Sequence, residues 1–372
     1  QVLKQYLEKL SFKVGTWASV LNYVDGFAGP WRAVTDDLSD TSPHIAIQRL
    51  RIAKAGLARR QHYPAIRCLF IEKDNEAFRR LEESVNLITD IDANVLHGEF
   101  EHAIPQVLKF ARVGGTAGFT FFFIDPTGWS GFGMDAITPV LRHAPSEVLI
   151  NFMTKDIKRF IDDPFSTALL KYVELFGTHD YRQQWAGLEG QDREDRIVQT
   201  YCERIRQAGN FTHVISAIVL HPTDGRTHFH LIYCTRHAEG LRTFRAIEEK
   251  TMEQQEHIRA EAQQQNRIGR TLQLDLFTSE NLGAGSHYEM LRARYLATSH
   301  SALESLLKSS GMLTYEDIEQ AALQMPMTWV RDIQAWVKDW QAQHLIRVDG
   351  LMPRERTLKP GKQHIVSWIG PR

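Results

Sequence analysis

Leu21–Trp31, LNYVDGFAGPW, runs as an apolar strand into an acid and then breaks on glycine and proline. A carboxylate at the carboxyl edge of a first strand can accept hydrogen bonds from an amine or a hydroxyl. Small residues just after it let backbone N–H groups approach a ligand. The dinucleotide fingerprint asks for three spaced glycines, and this turn has Gly26 and Gly29 with Phe27, Ala28, Pro30 and Trp31 around them. A cofactor loop and a strand that merely turns on glycine both fit the stretch taken alone.

The same signature returns downstream. Arg67–Glu72 is a short apolar run ending in an acid, Asn94–His97 is a strand followed by Glu99, and Gly118–Asp125, GFTFFFID, again ends in an acid. Glu147–Phe152 is a further buried strand. Helical spacing covers Leu3–Leu10, Ile45–Leu57, Ala77–Ile88, Ala103–Ala111 and Asp135–His143, with Ser42-Pro43 as N-cap and first-turn proline of the second. Short strands alternating with helices predict a parallel sheet covered on both faces. Ligands of such sheets sit outside the carboxyl ends of the strands, where Asp25, Glu72, Glu99 and Asp125 gather. Core packing gives strands no reason to end in acids so regularly.

After a helical region over Lys171–Gln207, His213–Leu220 and Thr227–Thr235 are joined by HPTDGR, a hairpin turn. Five parallel strands closed by a hairpin make the Rossmann-like sheet of class I S-adenosylmethionine-dependent methyltransferases, whose last strand runs antiparallel. Glu248–Arg267 is polar and reads as a connector. Helices over Ser301–Ser309, Tyr315–Leu323 and Thr328–His344, then strands Leu345–Val348 and His364–Ile369, predict a winged helix. Such units bind nucleic acid in many proteins and protein in others. The expected organisation is an α/β domain over residues 1–247, a helical linker over 248–288 and the winged helix over 289–372.

Composition restricts the function classes. At 372 residues the chain exceeds the size of a single core, and with 43% hydrophobic residues and a net charge of −1 no global field draws it to nucleic acid or membrane. No apolar run approaches the ~18 residues of a membrane span. Cys68, Cys202 and Cys234 lie far apart, which predicts a reduced, cytoplasmic protein. His228 and His230 could share a strand face, but no third ligand stands near them, so no metal is expected.

DGFAGP, FIEKD, HGEF, FFFIDPTG and HLIYCTRHAEGLRTFRAI together resemble the three-Cys-motif partner proteins (TcmP), and more distantly the large-subunit ribosomal RNA adenine methyltransferases. The resemblance covers residues 10–250. It implies S-adenosylmethionine as cofactor and a radical-SAM-type protein carrying the three-cysteine motif as partner; Cys68, Cys202 and Cys234 are not that motif.

S-adenosylmethionine presents an amino-acid end, a ribose diol, an adenine ring and a methyl on a cationic sulfur. Asp25 and the backbone of Gly26, Phe27, Ala28 and Gly29 are expected at the amino-acid end. Glu72, with Lys73 beside it, is expected at the ribose, and Glu99 with Phe100 at the adenine. Asp125-Pro126-Thr127-Gly128 is expected at the reacting end. Methyltransferases of exocyclic base amines resemble one another in an acid-Pro-Pro-aromatic tetrapeptide, in which the acid and a carbonyl take the amine protons and the aromatic stacks on the extruded base. Here Thr127 and Gly128 replace the second proline and the aromatic, and Trp129 is expected to supply the stacking face.

Arg49, Arg51, Lys54, Arg59, Arg60 and Arg67 form an acid-free basic stretch that fits either a solvated helix face or a phosphate track. Lys155, Lys158 and Arg159, and Arg354, Arg356, Lys359 and Lys362 in the wing, repeat the theme. Gln273–Phe277, QLDLF, resembles the peptide by which bacterial DNA enzymes dock on the sliding clamp, with Gln273 at the rim and Leu276 and Phe277 in an apolar pocket. The same two side chains could instead pack on their own domain. A clamp would make the substrate DNA rather than RNA. The expected function is methylation of a nucleic-acid base; the alternative is an inactive adaptor in a DNA repair or phage-defence complex.

Overall fold

The computed structural model describes residues 1–29, 41–160, 166–179, 184–221, 224–271, 287–352, 354–355 and 357–371. Two compact units emerge, one of Gln1–Ser216 with His228–His237 and one of Ala217–Thr227 with Ala238–Arg372.

In the first unit α1 (Val2–Val14), α2 (Ser42–Ala58), α3 (Asn75–Asn86), α4 (Phe100–Ala111) and α5 (Met134–Arg142) alternate with β1 (Val20–Asp25), β2 (Ala65–Glu72), β3 (Asp92–His97), β4 (Gly118–Ile124) and β5 (Ser146–Phe152). Then follow α6 (Thr154–Phe160), α7 (Ser166–Phe176), α8 (Gly190–Gly209), β6 (His213–Leu220) and β7 (Thr227–Thr235), with β6 from Ala217 onward and Thr227 of β7 counted in the second unit. The sheet order is β3-β2-β1-β4-β5-β7-β6. β1 pairs in parallel with β2 and β4, β4 with β5, and β7 runs antiparallel to β5. All seven residues of β4 are buried, as expected of a central strand covered on both faces. The N-cap of α2 is Thr41, whose side chain accepts from His44 N, and not Ser42 as the sequence suggests. Asp74 caps α3 by accepting from the N–H groups of Glu76 and Ala77.

Period-two alternation sends Val24, Phe122, Ile124, Ile150, Phe152 and Ile232 into a large apolar core with residues of α4, α5, α7 and α8. The intervening residues face the other side, mostly apolar as well but with some polar groups among them. There Tyr6 of α1 donates to Glu147 Oε2 at 2.6 Å and Thr235 to Glu147 Oε1 at 2.9 Å, and burial raises the Glu147 pKa.

In the second unit α9 (Ala238–Thr271), α10 (His287–Ser310), α11 (Tyr315–Leu323) and α12 (Val330–Ala342) accompany a three-stranded antiparallel sheet, β8 (Met312–Thr314), β10 (Ile365–Trp368) and β9 (Ile346–Asp349) in that order. Its core joins Ile218, Leu220, Met252, Leu291, Tyr295, Met327 and Trp329. The expected boundary at residue 247 falls inside α9. That helix starts ten residues before the polar stretch because its first turns are apolar and buried, with Leu241, Phe244 and Ile247 at 0–1% exposure. Arg245 and Glu248 ion-pair there, both 1% exposed. Among the described residues no helix is long and apolar enough to cross a membrane.

Candidate functional site at the carboxyl edge

Asp25 ends β1 with no solvent exposure. Its Oδ1 accepts from Phe27 N at 3.1 Å, and its Oδ2 accepts from Ser42 Oγ at 2.6 Å and from Tyr23 Oη at 3.4 Å. Burial pushes its pKa up to about 7; the Asp125 charge adds to the rise, and the Ser42 and Phe27 hydrogen bonds oppose it. Asp125, just past β4, accepts from Asn151 Nδ2 at 2.6 Å, and burial raises its pKa too. Glu72 ends β2, 9% exposed, and accepts from Asp74 N at 2.6 Å. Strand register puts Asp25 on the same face as Phe70 and Phe123, hence with Glu72 and Asp125 two residues further along their strands.

The turn after Asp25 is bound into the sheet edge. Gly26 N donates to Phe123 O and Ala28 N to Ile71 O, each at 2.9 Å. A side chain at Gly29 would put its Cβ 2.0 Å from Glu72 Oε2, and one at Gly26 would meet the Phe100 ring at 2.8 Å. Gly26 is therefore required by close approach, while at Gly29 a side chain would be admitted only by swinging the Glu72 carboxylate aside. The result is a turn closed against the Glu72 carboxylate, its Gly26, Phe27 and Ala28 N–H groups bound to Phe123 O, Asp25 Oδ1 and Ile71 O.

Phe100 corrects the sequence expectation. Its ring is 2% exposed, lies 5.6 Å from Phe27 and supports Gly26 from below, so it belongs to the core and offers no open face to an adenine. Glu99 precedes α4 without capping it and pairs with His102 at 3.3 Å, its side chain 57% exposed. Lys73 is exposed, and its carbonyl meets His97 Nε2 at 3.2 Å. Pro126 is buried and Thr127 exposed. Trp129 packs on the core, 4.8 Å and edge-to-face from Tyr172, with Lys171 over its ring at 5.9 Å, rather than standing free to stack.

The basic stretch is corrected as well. Arg49 pairs with Glu8 at 3.0 Å, Arg51 holds both oxygens of Asp90 with Lys54 on the Asp90 carbonyl, and Arg67 pairs with Asp92 at 2.8 Å. Partners from α1 and from around the start of β3 neutralise most of the face; Arg59 and Arg60 remain exposed at its end. Lys158 is bound to Glu194, which Thr154 and His230 also contact. Burial works against the Glu194 charge, but His230 and Lys158 overcome it and hold the carboxyl at about 2. Lys155 is exposed. Lys362 pairs with Glu355, while Arg354 and Lys359 are exposed. Gln273, Leu276, Phe277, Trp31, Arg356 and the Arg159 side chain lie outside the described residues.

Sequence reasoning missed Ser42, Tyr23 and Asn151. Only the strand alternation of Tyr23 with Asp25 carried any signal. A cavity of about 260 Å³ lies between α2 and α3, lined by His44, Phe70, Leu81 and Leu87, and none of the four edge acids lines it.

No protein-family model matches the chain, and no curated protein matches it. Among solved structures it is similar to a Legionella pneumophila protein of family DUF519, at 10% identity over 63% of this chain and 84% of that one, TM-score 0.35. It is also similar to the cyclopropane synthase MmaA2 of Mycobacterium tuberculosis (12% identity, 71% of each chain, TM-score 0.27). A third is a Thermobifida fusca protein provisionally named a methyltransferase (13%, 63% and 79%, TM-score 0.33). Likenesses this distant add no weight to the strand order, which itself defines the class: a mostly parallel, Rossmann-like sheet of the methyltransferase type.

Proposed function

We propose that the chain binds S-adenosylmethionine at the carboxyl edge of β1, β2 and β4 and methylates a nucleic-acid base, an adenine-type exocyclic amine before other atoms and DNA before RNA. The observation that carries this reading is the placement of Asp25, Glu72 and Asp125 on one face around a turn bracketed by Gly26 and Gly29. Asp25 and the turn at Gly29 would hold the amino-acid end, and Glu72 the ribose hydroxyls, while the N–H groups of Gly26, Phe27 and Ala28 keep the turn in place. The cofactor supplies a methyl on a cationic sulfur. Transfer is an in-line displacement, so the protein's part is alignment and proton acceptance. Asp125, oriented by Asn151 and raised in pKa by burial, is suited to take a proton from an amine as it is alkylated.

A second reading, a methyltransferase fold serving as an inactive adaptor, is favoured by the engagement of Trp129 with Tyr172, which leaves the tetrapeptide without a free stacking ring. On either reading the order of elements after α9, with the three helices α10, α11 and α12 and a short antiparallel sheet, supports a winged helix. The radical-SAM-type protein and the sliding clamp are proposed partners.

Calorimetry with S-adenosylmethionine should show binding that Asp25→Ala and Glu72→Ala each weaken by about tenfold or more, the loss of one charged hydrogen bond. Absence of heat with the native protein rejects the cofactor site. Labelled methyl transfer to DNA or RNA, abolished in Asp125→Ala, separates enzyme from adaptor.

A further inference from the structure

The four loops that enter β2, β1, β4 and β5 stand side by side at the amino edge, because Val20 is in register with Ala65 and Gly118, and Thr120 with Ser146. At about 4.8 Å per strand they make a row about 15 Å across. Residues 59–64, 13–19, 109–117 and 142–145, which form this row, contain no acidic side chain. The opposite edge is the one that carries Asp25, Glu72 and Asp125.

Three cations of the row are not neutralised by a described acid. Arg59, Arg60 and Arg112 are exposed and form no ion pair with a described acid, in contrast to Arg49, Arg51 and Arg67. Arg142 gives its Nε–H to Ala208 O at 3.0 Å and, with Arg112 and His143, lines a cavity of about 480 Å³. The His143 imidazole is held below its ordinary pKa by burial and then by the charges of Arg112 and Arg236, as expected where positive potential is uncompensated. Two large aromatics stand out among these charges. Trp17 is 54% exposed, resting edge-to-face on Phe119 at 6.1 Å, and Tyr63 is 77% exposed.

Cations near helix C-termini complement the helix dipole and need no ligand. That accounts for a cation per helix end, but not for the absence of acids across four consecutive loops nor for two exposed rings among them. Arginines for phosphates and flat rings for bases are the two components of a single-strand binding surface. We propose that the amino edge of the sheet is a single-stranded nucleic-acid track, with Arg59, Arg60, Arg112 and Arg142 meeting phosphates and Trp17 and Tyr63 stacking on unpaired bases. The proposal rests on the nucleic-acid half of the function above and not on the cofactor. A duplex offers such rings no base faces, and a lipid surface has none to offer.

The test is fluorescence anisotropy of a labelled single-stranded DNA of about 16 nucleotides, within the span that such surfaces occupy, on the full chain without S-adenosylmethionine. Binding should weaken with salt, with a log–log slope that falls by about 0.7 for each phosphate contact removed, hence by about 1.4 in Arg59→Gln/Arg60→Gln. Trp17→Ala/Tyr63→Ala should lose about tenfold or more in affinity. Arg112→Gln/Arg142→Gln provides a second charge variant should the first fail to fold, with thermal unfolding as the control. The proposal is overturned if nothing binds at ~100 µM in low salt, the weak limit of non-specific binding. It is equally overturned if the variants bind like the native chain, or if a duplex of equal length or phosphatidylserine vesicles bind more tightly than the single strand. Calorimetry on the same variants keeps the two readings apart: cofactor binding without DNA binding sinks the track alone, and the reverse sinks the cofactor site alone.

Discussion

Asp25 is a carboxyl group with no solvent contact and a pKa near 7, poised between charged and neutral at physiological pH. Because the folded chain binds this proton more tightly than the unfolded chain, whose value is near 3.8, the associated stability is complete below about pH 4 and is lost as pH rises through about 7. Denaturant unfolding should show the native protein losing about 2–3 kcal/mol between pH 5 and pH 8 relative to Asp25→Asn. An incoming ammonium favours the carboxylate, so cofactor affinity should climb over the same interval and stay flat in the Asn variant. Gly29 is a second decisive residue. With Glu72 Oε2 only 2.0 Å from where a Cβ would sit, Gly29→Ala must displace the carboxylate. Because that oxygen is the far end of a flexible side chain, urea melts should change little while cofactor binding weakens. The acids were legible because each closes an apolar run. Ser42 and Asn151 were not, since their value depends on where α2 lands and on which strand neighbours β4, facts held in other parts of the chain.

At the scale of elements, α4 shows how a motif reading can assign the right segment and the wrong surface. HGEF marks the turn into the helix, but the helical twist that places Glu99 outward turns Phe100 inward under Gly26. Phe100→Ala should therefore act mainly on stability, costing about 3–5 kcal/mol in chemical unfolding, whereas an adenine-stacking residue would alter cofactor affinity with little change in the melt. Strand positions were recovered closely from apolar runs, β6 and β7 without any shift of boundary. The basic stretch, which in sequence fits either a solvated face or a phosphate track, is largely ion-paired: Glu8, Asp90 and Asp92, which neutralise Arg49 and Arg51 of α2 and Arg67 of β2, are distant in sequence and reach them only through packing.

At the scale of the whole molecule, two compact units with separate cores should not unfold as one. Scanning calorimetry is expected to resolve two transitions, or a calorimetric enthalpy exceeding the van't Hoff value. S-adenosylmethionine at 100 times its Kd should stabilise the first unit by about 2.7 kcal/mol and leave the other transition in place. A single transition moved as a whole would contradict this.

Along β4, Arg112 precedes the first residue, and Asp125, its pKa raised by burial, follows the last. The two ends are separated by a seven-residue strand, about 23 Å at 3.3 Å per residue. Were the proposed track to hold nucleic acid, a lone nucleotide could not bridge that gap, whereas an oligomer bent around the flank could present one base at the carboxyl edge, so that chain length would itself become a criterion of substrate choice.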